Sequence, residues 1–201
     1  MQSNESLFEN LEKSGWASSD DALAPDLVQS LFSECQKSWQ DGLFKEAHIG
    51  RGKDKNLNVE IRSDSILWLN SEQNDSASSH FLRWAADLRC ELNQRYFLGL
   101  NSEEFHFARY PAGKGYQKHI DQHRGTLARK ISLVLYLNPT WNPSDGGELC
   151  IYQTENDHLE MQRILPLGGR LVIFRSDIVP HAVLPCFQTR WSLTGWFRTD
   201  L

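Results

Sequence analysis

From residue 105 onward the chain is a succession of short apolar and aromatic runs, each cut off by Gly, Pro, Asn or Asp. They are 105–110 (FHFARY), 130–138 (KISLVLYLN), 147–153 (GELCIYQ), 169–176 (GRLVIFRS), 180–185 (PHAVLP) and 189–197 (TRWSLTGWF). Runs this short and this rich in β-branched and aromatic residues predict strands. Many such strands in series make a mainly β core.

The first half carries helical spacing instead. Leu7, Phe8 and Leu11 share a face of 5–14, with Gly15 as the stop. Pro25 opens a helix over 25–40 whose stripe is Val28, Leu31, Phe32, Cys35 and Trp39, a face suited to pack on a sheet. Phe81, Trp84, Leu88, Leu92 and Tyr96 recur at gaps of three and four, predicting a helix over 79–97. Residues 61–69 (IRSDSILWL) alternate as a strand with Ile66 and Trp68 on one face, and 48–60 hold glycines and like charges without periodicity, which reads as an exposed loop.

At 201 residues and 40% hydrophobic, the chain suits one domain spanning 1–201, with helical support, the first strands and the loop in 1–98 and the β core in 105–198. A net charge of -5 argues against a nucleic-acid partner, which would need a basic face. No apolar run approaches the roughly 20 residues that span a bilayer, so no membrane partner is expected. Cys35, Cys90, Cys150 and Cys186 are widely spaced in apolar runs, without CxxC pairs or a secretory leader. They read as reduced core thiols of a cytoplasmic protein.

The chemistry gathers at His119-Ile120-Asp121, an imidazole and a carboxylate that project from the same face of a strand. Alone the triplet is weak. Its partner lies far along the chain, where His181 sits in one apolar run and Arg190 in the next, joined by PCFQT as if by a turn. That pattern predicts a hairpin with a metal ligand on one strand and a buried cation on the other. Two histidines and one carboxylate on one side of a metal suit non-haem Fe(II) with positions left open. Metal-ligand segments on opposite sides of many short strands predict a double-stranded β-helix, a jelly roll of the cupin-like kind, backed by helices. Arg190 alternates with Ser192, Thr194 and Trp196, so it points into such a barrel and requires an anion; a core acid such as Glu148 is one candidate. A jelly-roll module that holds Zn(II), or no metal, and catalyses nothing would not need Arg190.

Taken together, residues 61–69, 110–121 (YPAGKGYQKHID), 131–138, 145–152 and 179–197 resemble the Fe(II)- and 2-oxoglutarate-dependent dioxygenases, in the prolyl 4-hydroxylase branch that includes the oxygen-sensing prolyl hydroxylase domains and their bacterial relatives. The resemblance implies Fe(II) on His119, Asp121 and His181, with O2 consumed as 2-oxoglutarate is converted to succinate and CO2, and ascorbate in support. It implies that Arg190 and Tyr136 hold the far carboxylate of 2-oxoglutarate, with Thr194 nearby, Tyr110 at the cosubstrate and metal, and Leu149 and Val134 as apolar walls. Trp196, Tyr116 and Arg129 match positions around the proline to be hydroxylated. Strict alternation puts Arg129 on the face opposite Tyr136 unless a bulge intervenes. The loop at 48–60 matches one that folds over substrate. The implied substrate is a proline in a protein loop, with a translation elongation factor as first candidate; free proline or another small metabolite is the alternative. Nucleic-acid demethylases of this superfamily carry a second arginine where this chain has Trp196.

Overall fold

The computed structural model describes residues 4–47, 63–70, 75–122 and 127–200, which form three α-helices, a one-turn 3-10 helix at Pro143–Asp145 and eleven strands. The expected loop at 48–60 lies outside the described residues. The helices are α1 (Glu5–Ser14), α2 (Pro25–Gln40) and α3 (Ala77–Tyr96). Each boundary has a local cause. Gly15 takes φ 75° and donates its N–H to Leu11 O, closing α1, a conformation glycine adopts without strain. Pro25 stands at the start of α2, where a missing N–H costs nothing. The Ser76 hydroxyl accepts from the Ser79 N–H and caps α3.

The strands are β1 (Trp16–Ser19), β2 (Lys45–Glu46), β3 (Ser65–Trp68), β4 (Ser102–Tyr110), β5 (Tyr116–His119), β6 (Arg129–Tyr136), β7 (Leu149–Tyr152), β8 (Glu160–Ile164), β9 (Leu171–Arg175), β10 (His181–Val183) and β11 (Arg190–Arg198). They pair antiparallel in two sheets, one ordered β1-β9-β6-β11-β4-β3-β2 and the other β5-β10-β7-β8. This is the jelly-roll arrangement of mainly β architecture with supporting helices. The central strands of the larger sheet are buried on both faces, and alternation divides their side chains between two cores. Ile131, Leu133 and Leu135 of β6 turn outward to meet Leu31, Phe81, Leu88 and Leu92 of the helices. Val134 and Tyr136 turn inward toward Leu149, Ile151 and Val183 of the smaller sheet.

Register fixes what the inner face offers. Across β4 and β11, Tyr110 lies opposite Arg190, Ala108 opposite Ser192, His106 opposite Thr194 and Glu104 opposite Trp196. Across β11 and β6, Ser192 faces Tyr136, Thr194 faces Val134 and Trp196 faces Ser132. The next pairs, Phe197 with Ile131 and Arg198 with Arg129, leave Lys130 as an extra residue. This bulge turns Arg129 onto the inner face despite its odd spacing from Tyr136.

Two expectations are corrected. The segments 180–185 and 189–197 are not a hairpin, since β10 joins the smaller sheet and β11 the larger. Nine residues of β11 pair with β4 and seven with β6, so both its edges are taken, and the three-residue β10 instead fills the gap between β5 and β7. Cys90 is exposed, because it falls on the face of α3 opposite the stripe of Phe81, Ala85, Leu88 and Leu92; the other three cysteines are buried as expected. Strand β8 escaped the sequence reading because four of its five residues are exposed and it forms an edge.

The packing of β4 on β11 leaves no room at Gly195, whose added Cβ would overlap the Glu104 carbonyl oxygen and the Phe105 ring. Gly195→Ala should therefore destabilise the protein by about 3 kcal/mol or more, as overpacking against backbone does. Thermal or urea unfolding checks this, and an unchanged midpoint would contradict the register.

Candidate active site

His119 and His181 sit directly opposite each other across β5 and β10. The Nδ1 of each meets a carbonyl two residues earlier, Gln117 O at 2.8 Å and Val179 O at 3.1 Å. A carbonyl only accepts, so Nδ1 carries a proton in both rings and each Nε2 is the nitrogen left to face Asp121. Asp121 completes the group, with Oδ1 3.3 Å from His119 Nε2 and Oδ2 3.8 Å from His181 Nε2. It does not share a strand face with His119, as the sequence pattern implied, because β5 ends at His119 and Asp121 lies beyond it. Tyr116 stacks on His119 with ring centroids 3.6 Å apart, and Phe174 lies 4.5 Å from the His181 ring.

The charge state of this group suits a cation. Burial, and then the neighbouring His119, push His181 down to about 4, so its imidazole is neutral at pH 7. Burial alone would raise Asp121, but His181, His119 and the Ser132 hydroxyl outweigh it and hold the carboxyl well below the usual carboxylate range. One nitrogen from each imidazole and one carboxylate oxygen converge within 4.8 Å of one another. This donor set could hold an Fe(II) ion with coordination positions to spare.

At the other end of the inner face, Arg190 is buried to 2% exposure. Its Nε donates to Gly147 O at 3.0 Å, and its guanidinium lies 5.3 Å from the Tyr110 ring and 4.9 Å from the Tyr136 ring. Among the described residues it makes no ion pair, so Glu148 is not its counterion. Gly147 takes φ 71°, and a Cβ there would press on Trp141 at 3.1 Å and on Arg190 at 3.2 Å, so this contact depends on glycine. Among the described residues the buried Tyr136 hydroxyl has no hydrogen-bond partner. Burial raises its pKa and outweighs the nearby Arg190, which pulls the other way. It stays a protonated donor. A buried cation beside a buried O–H, neither with an anionic acceptor, fits a carboxylate from outside the chain.

Between these two ends lies a cavity of about 500 Å³ including its open mouth, lined by His119, Asp121, His181 and Arg190 and by Tyr110, Tyr116, Val134, Leu149, Thr194 and Trp196. Residues 105–198 match the 2OG-Fe(II) oxygenase superfamily. The chain is 38% identical to a Pseudomonas putida prolyl-4-hydroxylase of known crystal structure, with a TM-score of 0.86 and coverage of 97% of this chain and 98% of that one. The chain belongs to the prolyl hydroxylase family of 2-oxoglutarate-dependent dioxygenases. A Trichoplax adhaerens prolyl hydroxylase, solved with a hypoxia-inducible factor peptide fragment, is 25% identical with a TM-score of 0.84, covering 98% of this chain and 89% of that one. The Caenorhabditis elegans hypoxia-inducible factor prolyl hydroxylase is 28% identical over 96% of this chain, which spans only 28% of that protein's length.

Within this prolyl hydroxylase site, the sequence-predicted residues fall into two groups. Ten line the cavity, whereas Tyr136 is not among the lining residues and stands beside Arg190. Thr194 donates its hydroxyl to Leu133 O at 2.9 Å, so it offers the cavity lone pairs and a methyl but no proton. Arg129 stands back from the cavity. Its guanidinium lies 3.4 Å from the centroid of the Trp196 ring and pairs with Glu104 at 2.9 Å. Asp64, His106, Phe174 and Val183 also line the cavity and were not anticipated, and Ser192 joins them on the face where its alternation with Arg190 put it. His106 was legible in principle, since alternation from Tyr110 points it inward. Asp64 shares the period-two face of Ile66 and Trp68 but, as a lone acid before the apolar run, was not singled out.

Arg190→Ala should raise the 2-oxoglutarate requirement by about 10²-fold or more, the worth of a charge-assisted bidentate pair, and Lys should restore only part of it because it lacks the planar fork. Titration of succinate release against 2-oxoglutarate gives the answer, and an unchanged requirement would return Arg190 to a structural role.

Proposed function

We propose that the protein is an Fe(II)- and 2-oxoglutarate-dependent prolyl 4-hydroxylase acting on a proline in a protein loop. The reading is carried by the buried charge of Arg190, without an ion-pair partner among the described residues, in the same cavity as two imidazoles and a carboxylate. Names of similar proteins support it: one is a prolyl-4-hydroxylase and another was solved with a peptide. The helical support in 1–98 and the core in 105–198 act, on this reading, as one catalytic domain.

His119, Asp121 and His181 would hold Fe(II). Bound there with 2-oxoglutarate and O2, the metal supplies an oxidant: the 2-oxo acid becomes succinate and CO2 while the second oxygen atom enters a substrate C–H bond. The remaining work belongs to the chain. Arg190 binds the far carboxylate, and Tyr136 donates its otherwise unused hydroxyl to the same group. Val134 and Leu149 press on the carbon chain between, and Tyr110 closes the side next to Arg190. Trp196 and Tyr116 give flat apolar walls near the triad, suited to a proline ring that has no donor to satisfy. Ascorbate would keep the metal reduced, and a cytoplasmic location accords with cysteines left as thiols.

The direct test incubates iron-loaded protein with 2-oxoglutarate and protein fractions, a translation elongation factor first, and measures succinate and hydroxyproline together. One hydroxyproline per succinate on a protein is expected. Turnover on free proline in preference to any protein would overturn the substrate assignment. Trp196→Ala, which removes a wall rather than a ligand, should keep 2-oxoglutarate binding within about threefold while hydroxyproline falls at least tenfold and the remaining succinate release becomes uncoupled. A loss of 2-oxoglutarate affinity as severe as that from Arg190→Ala would contradict the division of the cavity.

A further inference from the structure

Asp121 lies two residues beyond the end of β5, yet its anchors come from the opposite sheet. Ser132 Oγ, on the inner face of β6, is 2.6 Å from Asp121 Oδ2. Ser132 Oγ is in turn 2.9 Å from Ser176 Oγ, just after β9. With the Ser132 proton committed to the carboxylate, Ser176 must be the donor of that second bond. The backbone is tied in the same direction: Gln122 N–H donates to Ser176 O at 2.9 Å, and Gln122 Nε2 donates to Arg129 O at 2.9 Å. Both serines are buried, and along β6 the inward positions that follow Ser132 are the apolar or aromatic Val134 and Tyr136. Two adjacent hydroxyls in such a layer are costly to bury unless bonded. Packing alone would be served by alanine or valine.

We propose that Ser132, backed by Ser176, is a positioning residue for Asp121. Its proton occupies Oδ2 and weakens that oxygen as a donor, leaving Oδ1, on the His119 side, as the stronger metal ligand. The carboxylate then offers one oxygen to the metal, and the position that a second oxygen would take stays open for the cosubstrate or O2. The pair also carries the only described side-chain bond to the carboxylate from the larger sheet, so it couples the metal ligands of one sheet to the cosubstrate strands of the other. Partners of this kind around a ligand change metal affinity by about 10–100-fold when removed. The inference rests on His119, Asp121 and His181 being the metal site.

The test is anaerobic calorimetry with Mn(II), a redox-stable stand-in for Fe(II), on the full chain and its Ser132→Ala, Ser132→Thr, Ser176→Ala and Asp121→Ala variants, with melting of each metal-free form as the folding control. Ser132→Ala should weaken Mn(II) about 10–100-fold, Ser176→Ala less, and Ser132→Thr, which keeps a hydroxyl, should stay within about threefold of the parent. If Ser132→Ala binds as the parent does while Asp121→Ala does not, positioning by Ser132 is overturned and the metal site stands. Equal losses in Ser132→Ala and a folded Ser132→Thr would also overturn it, by showing that packing is at stake. Should Ser132→Thr not fold, the two alanine variants decide: a deficit at Ser132 larger than at Ser176 upholds the inference, and any other order overturns it. A parent that binds no Mn(II), or an Asp121→Ala variant that binds it fully, would instead sink the metal assignment itself.

Discussion

A full positive charge buried to 2% exposure, with a neutral carbonyl as its bonded partner, is the constraint around which this molecule is built. Removing a guanidinium from water costs several kcal/mol unless an anion compensates. The fold accepts that cost and surrounds Arg190 with aromatic faces and one backbone oxygen, a ring that stabilises the cation only in part. What is missing is an anionic acceptor. The Tyr136 hydroxyl, buried beside it without a hydrogen-bond partner among the described residues, is missing the same thing. On the proposed function, a carboxylate that enters the cavity would satisfy both at once, and the desolvation already present in the free protein would become affinity and selectivity for a dicarboxylic 2-oxo acid.

The two-sheet architecture is what keeps that charge away from the metal ligands. His119 and His181 belong to the smaller sheet and Arg190 to the larger, so on the proposed function the reactive end and the anchoring end of a bound 2-oxo acid would be gripped from opposite walls. Had β10 and β11 formed a hairpin, His181 and Arg190 would have shared one wall and no cavity could separate them. Asp121 is the exception, held from across the cavity by Ser132. Where the sheets approach at the other end of β11, Trp196 is packed by Arg129, which Glu104 and the adjacent bulge hold in place. The rim and the metal ligand thus share the first residues of β6.

Much of this was legible in the residues. Helical stripes such as Phe81, Leu88 and Leu92 form because a 3.6-residue period has one stable use, and the helices back the sheet as their apolar faces require. The triad and Arg190 were legible because two imidazoles, a carboxylate and a cation set into apolar runs serve few purposes besides gripping a metal and an anion. Strand partnership was not, because pairing is decided by competition among distant segments: the turn-like PCFQT joins two strands that each find longer or better-placed partners elsewhere. Nor could period-two reasoning place Arg129, since a single extra residue at Lys130 inverts its face. Ser132 and Ser176 look like ordinary strand residues until the fold brings them together beside Asp121. Asp64, buried at the cavity, belongs with them, since alternation gives its face but not its burial.

The central claim is that one cavity measures the length of a 2-oxo diacid between a metal and Arg190. It is tested most directly by competitive binding of 2-oxo acids to the Mn(II)-loaded protein, from pyruvate through 2-oxoglutarate to 2-oxoadipate. The account predicts a sharp optimum at 2-oxoglutarate, with pyruvate weaker by about 10²-fold or more because it cannot reach the buried cation. Binding that is indifferent to the second carboxylate would contradict it.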